Sequence, residues 1–171
     1  MFKGTVHSCL LALLLTASAA LAASSIGGVL DEARELAARN PAAALELLDR
    51  AIPGFESRAG AGPELARLLH LRAELLRGAG QFERARADIE RYGELISPTG
   101  GPEAAGEVLY ILGTLEAEQG RLGEALELFH EARQLVSQGG DANLQARVYN
   151  ALGITLNFAG DQAGAREYFA Q

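Results

Sequence analysis

The chain has 171 residues, 15 basic and 22 acidic, a net charge of −7, no tryptophan and a single cysteine. An acidic balance without any basic run argues against nucleic acid or an anionic membrane surface as partner. One thiol cannot build a disulfide framework or a thiolate metal site.

Residues 1–22 follow the three-part plan of a secretory signal peptide. Lys3 gives a positive start, Cys9 to Thr16 is a leucine-rich apolar run, and Ala20-Leu21-Ala22 offers small residues for cleavage. The apolar stretch from Cys9 to Ala23 is short of the about 20 residues that a membrane-spanning helix needs. A membrane association is therefore expected only of an uncleaved leader. The expected destination is periplasmic or extracellular. N-terminal sequencing of exported material should begin at Ala23, with cleavage after Ala19 as the second choice; a chain retaining Met1 in a membrane fraction would show an anchor instead. Removal of the leader takes away the only cysteine and the only lysine, leaving fourteen arginines against twenty-two acids. The arginine and alanine bias marks a GC-rich coding sequence rather than a function. Residues 23–171 have the size of one ordinary domain.

The first unit, about 24–55, reads as two helices. Val29, Ala33, Leu36 and Ala37 form an apolar stripe, and Leu45, Leu48 and Ile52 form the next. Between them Asn40 is the expected N-cap, with Pro41 at the first helical position. Pro53-Gly54 is expected to end the unit, and Gly60 to Pro63 to link it onward. Gly62-Pro63-Glu64 and Gly101-Pro102-Glu103 each read as a helix opening, and Gly139-Gly140-Asp141 as the opening of the last pair.

From there the chain repeats itself with a period of about forty. Leu69, Leu109 and Tyr149 fall in register, as do Ala73, Gly113 and Gly153. The turn glycines Gly80, Gly120 and Gly160 coincide, followed by Ala85, Ala125 and Ala165, then Ile89, Phe129 and Phe169. The remaining units are about 61–98, 101–138 and 140–171. Each carries two amphipathic stripes at helical spacing around a glycine able to take the left-handed conformation. Gly113 needs a further reason, because an interior helical glycine costs up to about 1 kcal/mol against alanine. Close approach to a facing alanine is expected, Gly113 against Ala125 and Gly153 against Ala165. No β-type alternation occurs. The expected fold is all-α, an alpha-alpha superhelix (solenoid) of eight helices in four antiparallel hairpins stacked into a right-handed arc.

Leu112-Gly113, Ala125, Phe129 and Ala132, and then Leu152-Gly153, Ala165 and Phe169, resemble the packing signature of the tetratricopeptide repeat. The forty-residue period is similar to the family's longer-helix variant. The family's first-helix tryptophan is replaced by Leu109 or Tyr149, its later tyrosine by Glu116 or Leu156, and its closing proline by Ser137. The resemblance implies a scaffold whose first helices line a groove for a partner peptide or helix. Carried over by register, that groove would take Arg67, His70, Glu74 and Arg77 from the second unit and Glu107, Tyr110, Thr114 and Glu118 from the third. The fourth would add Arg147, Asn150, Ile154, Asn157 and Phe158. The mix suggests a mainly polar groove with aromatic anchors.

Nothing in the chain converges on catalysis. His70 and His130 lie on different helices of different units, without a neighbouring ligand at metal spacing. No serine sits in a nucleophile elbow, and the acids read as solvated helix faces. A non-enzymatic protein without cofactor or metal is expected. A second reading makes the chain the N-terminal scaffold of a longer protein with an effector domain beyond Gln171. The last helix, from Asp161, carries Ala165, Tyr168 and Phe169 close to its end, so completion by further sequence or by self-association with a second copy is expected.

Overall fold

The computed structural model describes residues 25–58, 60, 62–137 and 141–170. The leader, its cleavage site, Gly139 and Gly140 lie outside the described residues. Helices α1 (Ile26–Arg39), α2 (Pro41–Glu56), α3 (Gly62–Gly78), α4 (Phe82–Glu118), α5 (Leu122–Val136), α6 (Ala142–Phe158) and α7 (Gln162–Phe169) follow one another. There is no strand among the described residues. The α4 span is two helices that meet at a kink, where Gly101 leaves the helical path at φ 57°, ψ −154°. Only glycine takes that conformation readily. Pro102 follows in the first turn of the second half, as the Gly-Pro-Glu signal requires. The eight expected rods are thus present, with two of them joined end to end. The chain divides into two compact units that meet within α3 at Leu68 and Leu69.

In the first unit, Ser25 Oγ accepts from the Gly28 amide at 3.0 Å and opens α1. Asn40 ends α1 through its own amide, bonded to the Leu36 carbonyl at 2.6 Å. Its side chain opens α2, Oδ1 accepting from the Ala43 amide at 3.2 Å, with Pro41 behind it. One residue closes a helix and caps the next. The core holds Ile26, Val29, Leu30 and Ala33 from α1 and Ala44, Leu47, Leu48, Ala51, Ile52 and Phe55 from α2. Leu36, Ala37 and Leu45, expected inward, are only half-buried. Pro53-Gly54 does not end the unit, because α2 runs through it to Glu56. Pro53 faces solvent on the outer side of the helix, while Phe55 is buried and holds the extra turn in place. The Arg58 guanidinium lies 4.6 Å from the centre of the Phe55 ring.

In the second unit the three turns are the same motif built three times. Gly80, Gly120 and Gly160 have φ of 72°, 76° and 90°. After each, the amide of Gln81, Arg121 or Asp161 reaches back to the carbonyl of Leu76, Glu116 or Leu156 at 2.8, 3.0 and 2.9 Å. This pairing is the Schellman termination, which satisfies carbonyls the helix would leave bare. The following helices then return at a fixed angle, so their apolar stripes meet. Ala125, Phe129, Ala132 and Val136 of α5 form one buried cluster with Leu144, Val148 and Leu152 of α6.

The interior glycines do not face alanine. A Cβ on Gly113 would lie 2.6 Å from Cε1 of the Phe129 ring, and one on Gly153 would lie 2.5 Å from Cε1 of Phe169. The phenylalanine one turn beyond the alanine is long enough to reach across, so its ring, not the methyl group of Ala125 or Ala165, occupies the space. The repeat one period earlier has Ala73 with Ile89, both buried. By register, a glycine with a phenylalanine is replaced there by a slightly larger alanine with a smaller isoleucine, so the summed volume stays nearly constant. Gly106 makes an approach of the same kind, its added Cβ falling 2.8 Å from Val136 Cγ1. Phe169, expected in the core, is 54% exposed although its ring lies against Gly153.

Candidate functional site: an apolar cleft between first helices

In the second unit, the second half of α4 and all of α6 stand side by side, with α5 behind them. The cleft between them has a volume of about 620 Å³. Tyr110, Thr114, Ala117 and Glu118 form one wall; Arg147, Asn150, Ala151, Ile154, Thr155 and Phe158 form the other; Leu122 and Phe129 of α5 complete it beside Gly120. The wall residues recur every three or four positions, which is why each helix presents them on one face. The Phe129 ring sits 6.0 Å from that of Tyr110, and the Arg147 guanidinium lies over the Tyr110 ring at 4.5 Å from its centre. Ile154 is 43% and Phe158 74% exposed.

The cleft surface is mainly apolar, not the mainly polar groove expected. Two reasons are visible. Thr114 Oγ1 donates to the Tyr110 carbonyl at 2.9 Å and Thr155 Oγ1 to the Ala151 carbonyl at 2.8 Å, so both hydroxyls are satisfied within their own helices. In addition Ala117, Leu122, Ala151 and Thr155 line the cleft without having been singled out in the sequence. They sit one residue off the register positions chosen there, or on α5, and only the crossing of three helices brings them in.

Of the thirteen groove residues read from the sequence, Tyr110, Thr114, Glu118, Arg147, Asn150, Ile154 and Phe158 come together in this cleft. The others go elsewhere. Glu107 accepts a hydrogen bond from the Tyr92 hydroxyl at 3.0 Å and shares a smaller hollow with Arg147, Glu103 and Asp141. Burial, and then the Glu107 carboxylate, raise the Tyr92 hydroxyl above its usual range, so it stays a donor. His70 packs on Tyr92 with ring centres 5.3 Å apart. Arg77 is ion-paired with Glu118. Glu74 is exposed on α3, and Asn157 is exposed on α6 outside the lining. Arg67 is exposed and belongs to the first unit.

The acids are not all on solvated faces. Asp88 has a side chain only 8% exposed and takes a fork from Arg72, Nη2 to Oδ1 at 2.6 Å and Nε to Oδ2 at 2.7 Å. Glu116, where the repeat signature has a tyrosine, is 2% exposed and ion-paired with both Arg86 and Arg121. Their sequence context gave no sign of this, because an acid on an amphipathic helix looks the same whether an arginine from the preceding helix reaches it or not. His130 is half-buried near Tyr168, with ring centres 6.2 Å apart; burial and then the nearby Arg133 lower its pKa. Among the described residues, no three His, Cys, Asp or Glu side chains are grouped to hold a metal ion, and no helix is long and apolar enough to cross a membrane.

Residues 105–171, which contain the cleft, match the family model for the tetratricopeptide repeat. No curated protein matches the chain. Among solved structures, aspartyl phosphate phosphatase F from Bacillus subtilis aligns with a TM-score of 0.75 at 14% identity, over 85% of this chain and 38% of its own. The present chain therefore spans well under half of that protein's length. A Podosopora anserina kinesin-light-chain-like protein of nearly identical TPR-like repeats aligns at 0.70 with 17% identity, over 85% of this chain and 72% of its own. MamA aligns at 0.61 with 15% identity, covering 85% and 75%. Identities this low speak for the fold alone, and the fold they share is the αα-superhelix class of stacked helical hairpins. With its repeated Schellman turns, its glycines set against phenylalanine rings and the family model matching residues 105–171, this part of the chain carries the tetratricopeptide repeat.

Proposed function

We propose that this protein is an exported interaction scaffold that holds a peptide or helix of a partner protein in the cleft between α4 and α6. The observation that carries the reading is the pair Ile154 and Phe158, 43% and 74% exposed on the wall of a cleft of about 620 Å³. Large apolar side chains gathered on one concave surface mark binding sites far more often than single exposed ones do. Arginine and tyrosine, both present at its mouth, are among the residue types that dominate binding energy. Export rests on the composition of residues 1–22, and the binding role needs no catalytic group.

A photo-crosslinking residue placed at Phe158 in the native host is expected to capture a discrete partner protein. The same residue placed at Glu131, an exposed position on α5 away from the cleft, should capture none. Equal capture from both positions, or none from Phe158, would overturn the reading.

A further inference from the structure

We infer that a small oxyanion, phosphate or carboxylate, is held where α5 meets α7, by Arg133 and His130 of α5 beside Tyr168 of α7. None of the three lines the cleft between α4 and α6, so this site is separate from the one proposed above.

The observation that carries this is an exception in how the arginines are paired. Among the described residues five arginines are half-buried: Arg72, Arg77, Arg86, Arg121 and Arg133. Arg72 is paired with Asp88, Arg77 with Glu118, and Arg86 and Arg121 both with Glu116. Arg133 has no carboxylate within ion-pairing distance among the described residues. Its Nε is closed off from solvent and has no acceptor. What it does meet is the Tyr168 ring, whose centre is 6.0 Å from the guanidinium carbon. A cation drawn partly out of water without an anion is costly, and a buried donor left unpaired calls for a water or an ion. The guanidinium fork matches two oxygens of one anion, as Arg72 does on Asp88, so an oxyanion fits better than a halide.

His130 supplies a second donor one turn before Arg133. Its ring lies 6.2 Å from that of Tyr168, so imidazole and guanidinium flank the same phenol. The Tyr168 hydroxyl has no hydrogen-bond partner among the described residues. Tyr149 of α6 stands against the same ring at 6.1 Å, and no charged group of α4, α6 or α7 pairs with His130 among the described residues. The acids nearest along the chain, Glu127, Glu131 and Glu167, are exposed. A carboxylate close to the imidazole would hold its pKa up, whereas burial and then Arg133 push it down. The charge felt at this spot is therefore the arginine's, although the whole chain carries −7. An anion beside Arg133 would offset that cation and raise the His130 pKa again. By linkage, the same anion binds more tightly as pH falls through the ordinary histidine range near about 6.5, where His130 gains its own charge.

The test follows the His130 imidazole by NMR in the purified protein, with His70 of α3 as the internal reference. In sodium phosphate the His130 pKa should stand higher than in sodium chloride of equal ionic strength, while His70 stays where it was. Sodium acetate is the second probe, and whichever salt moves His130 further at equal concentration names the class of oxyanion. Arg133→Gln should by itself raise the His130 pKa in chloride, since it removes the cation that depresses it. The same variant should weaken phosphate binding about tenfold or more, the usual effect of losing charge-assisted hydrogen bonds. Arg133→Lys keeps the charge without the fork and should retain part of the phosphate shift, which separates loss of a ligand from loss of structure. No movement of His130 in either salt, equal movement of His70, or a phosphate shift that persists in Arg133→Gln would overturn the inference and leave the cleft reading untouched.

Discussion

Asp88→Ala should lower the stability of the second unit by about 3–5 kcal/mol, the cost typical of removing one member of a buried ion pair. The substitution removes the carboxylate that fills the fork of Arg72, whose side chain is only 16% exposed. Chemical denaturation of the wild type and the variant, with unchanged helical signal before the transition, measures the loss. The size of the effect reports the removal of one member of a buried pair, not a large net worth of the pair. The double change Arg72→Met with Asp88→Leu should therefore recover most of the stability, since a well-packed apolar pair can replace a buried ion pair at little cost. Glu116→Gln should cost less than Asp88→Ala. Its partners Arg86 and Arg121 have side chains 31% and 40% exposed, so each can turn to water when the charge is gone. A loss below about 1 kcal/mol for Asp88→Ala, the level of a surface pair, would show that the fork is not sealed from solvent.

Gly113→Ala should destabilise by roughly 1–3 kcal/mol through overpacking, against a gain of up to about 1 kcal/mol from helix propensity. The added methyl group would stand 2.6 Å from the ring of Phe129, which is 1% exposed and enclosed by the α5 and α6 cluster. Gly153→Ala creates the same clash, at 2.5 Å, with Phe169. That ring is 54% exposed on the eight-residue α7 and has room to swing outward. The penalty at Gly153 should therefore be smaller than at Gly113. Combining Gly113→Ala with Phe129→Ile copies the Ala73 and Ile89 pair of the preceding repeat, and should restore part of what Gly113→Ala alone removes. Thermal unfolding of the two single variants and the double variant checks all of this. An unchanged midpoint in Gly113→Ala would show that the ring is not fixed where it lies.

Much of the fold was legible because its signals are local. A glycine after an apolar stripe ends a helix for reasons contained in a few residues, and Gly80, Gly120 and Gly160 all take the left-handed conformation that this requires. Asn40-Pro41 and Gly101-Pro102 acted as written, one capping a helix and the other opening the second half of α4. The forty-residue register aligned Gly113 with Gly153 and Phe129 with Phe169, and each glycine lies against its phenylalanine, although Phe169 is 54% exposed. Local signals also failed where burial overrode them. Pro53-Gly54 reads as a stop, yet α2 continues, since the gain from burying Phe55 exceeds the loss of one donor on a solvent-facing side.

The sequence by itself determined the helices, their turns, the repeat and which face of each first helix carries Tyr110, Thr114, Glu118, Arg147, Asn150, Ile154 and Phe158, because all of these follow from periodicity along one chain segment. Tertiary structure alone decided what each face meets. It set the Phe129 ring rather than Ala125 against Gly113, sent Glu107 to Tyr92 and Arg77 to Glu118, buried Asp88 and Glu116 under arginines, and brought Ala117, Leu122 and Ala151 in to make the cleft apolar. The physical reason is reach. A helical stripe fixes the direction of a side chain to within one face, but its partner depends on the length of the side chain opposite and on a shift of one residue between two helices. Neither is written in the spacing of either helix alone.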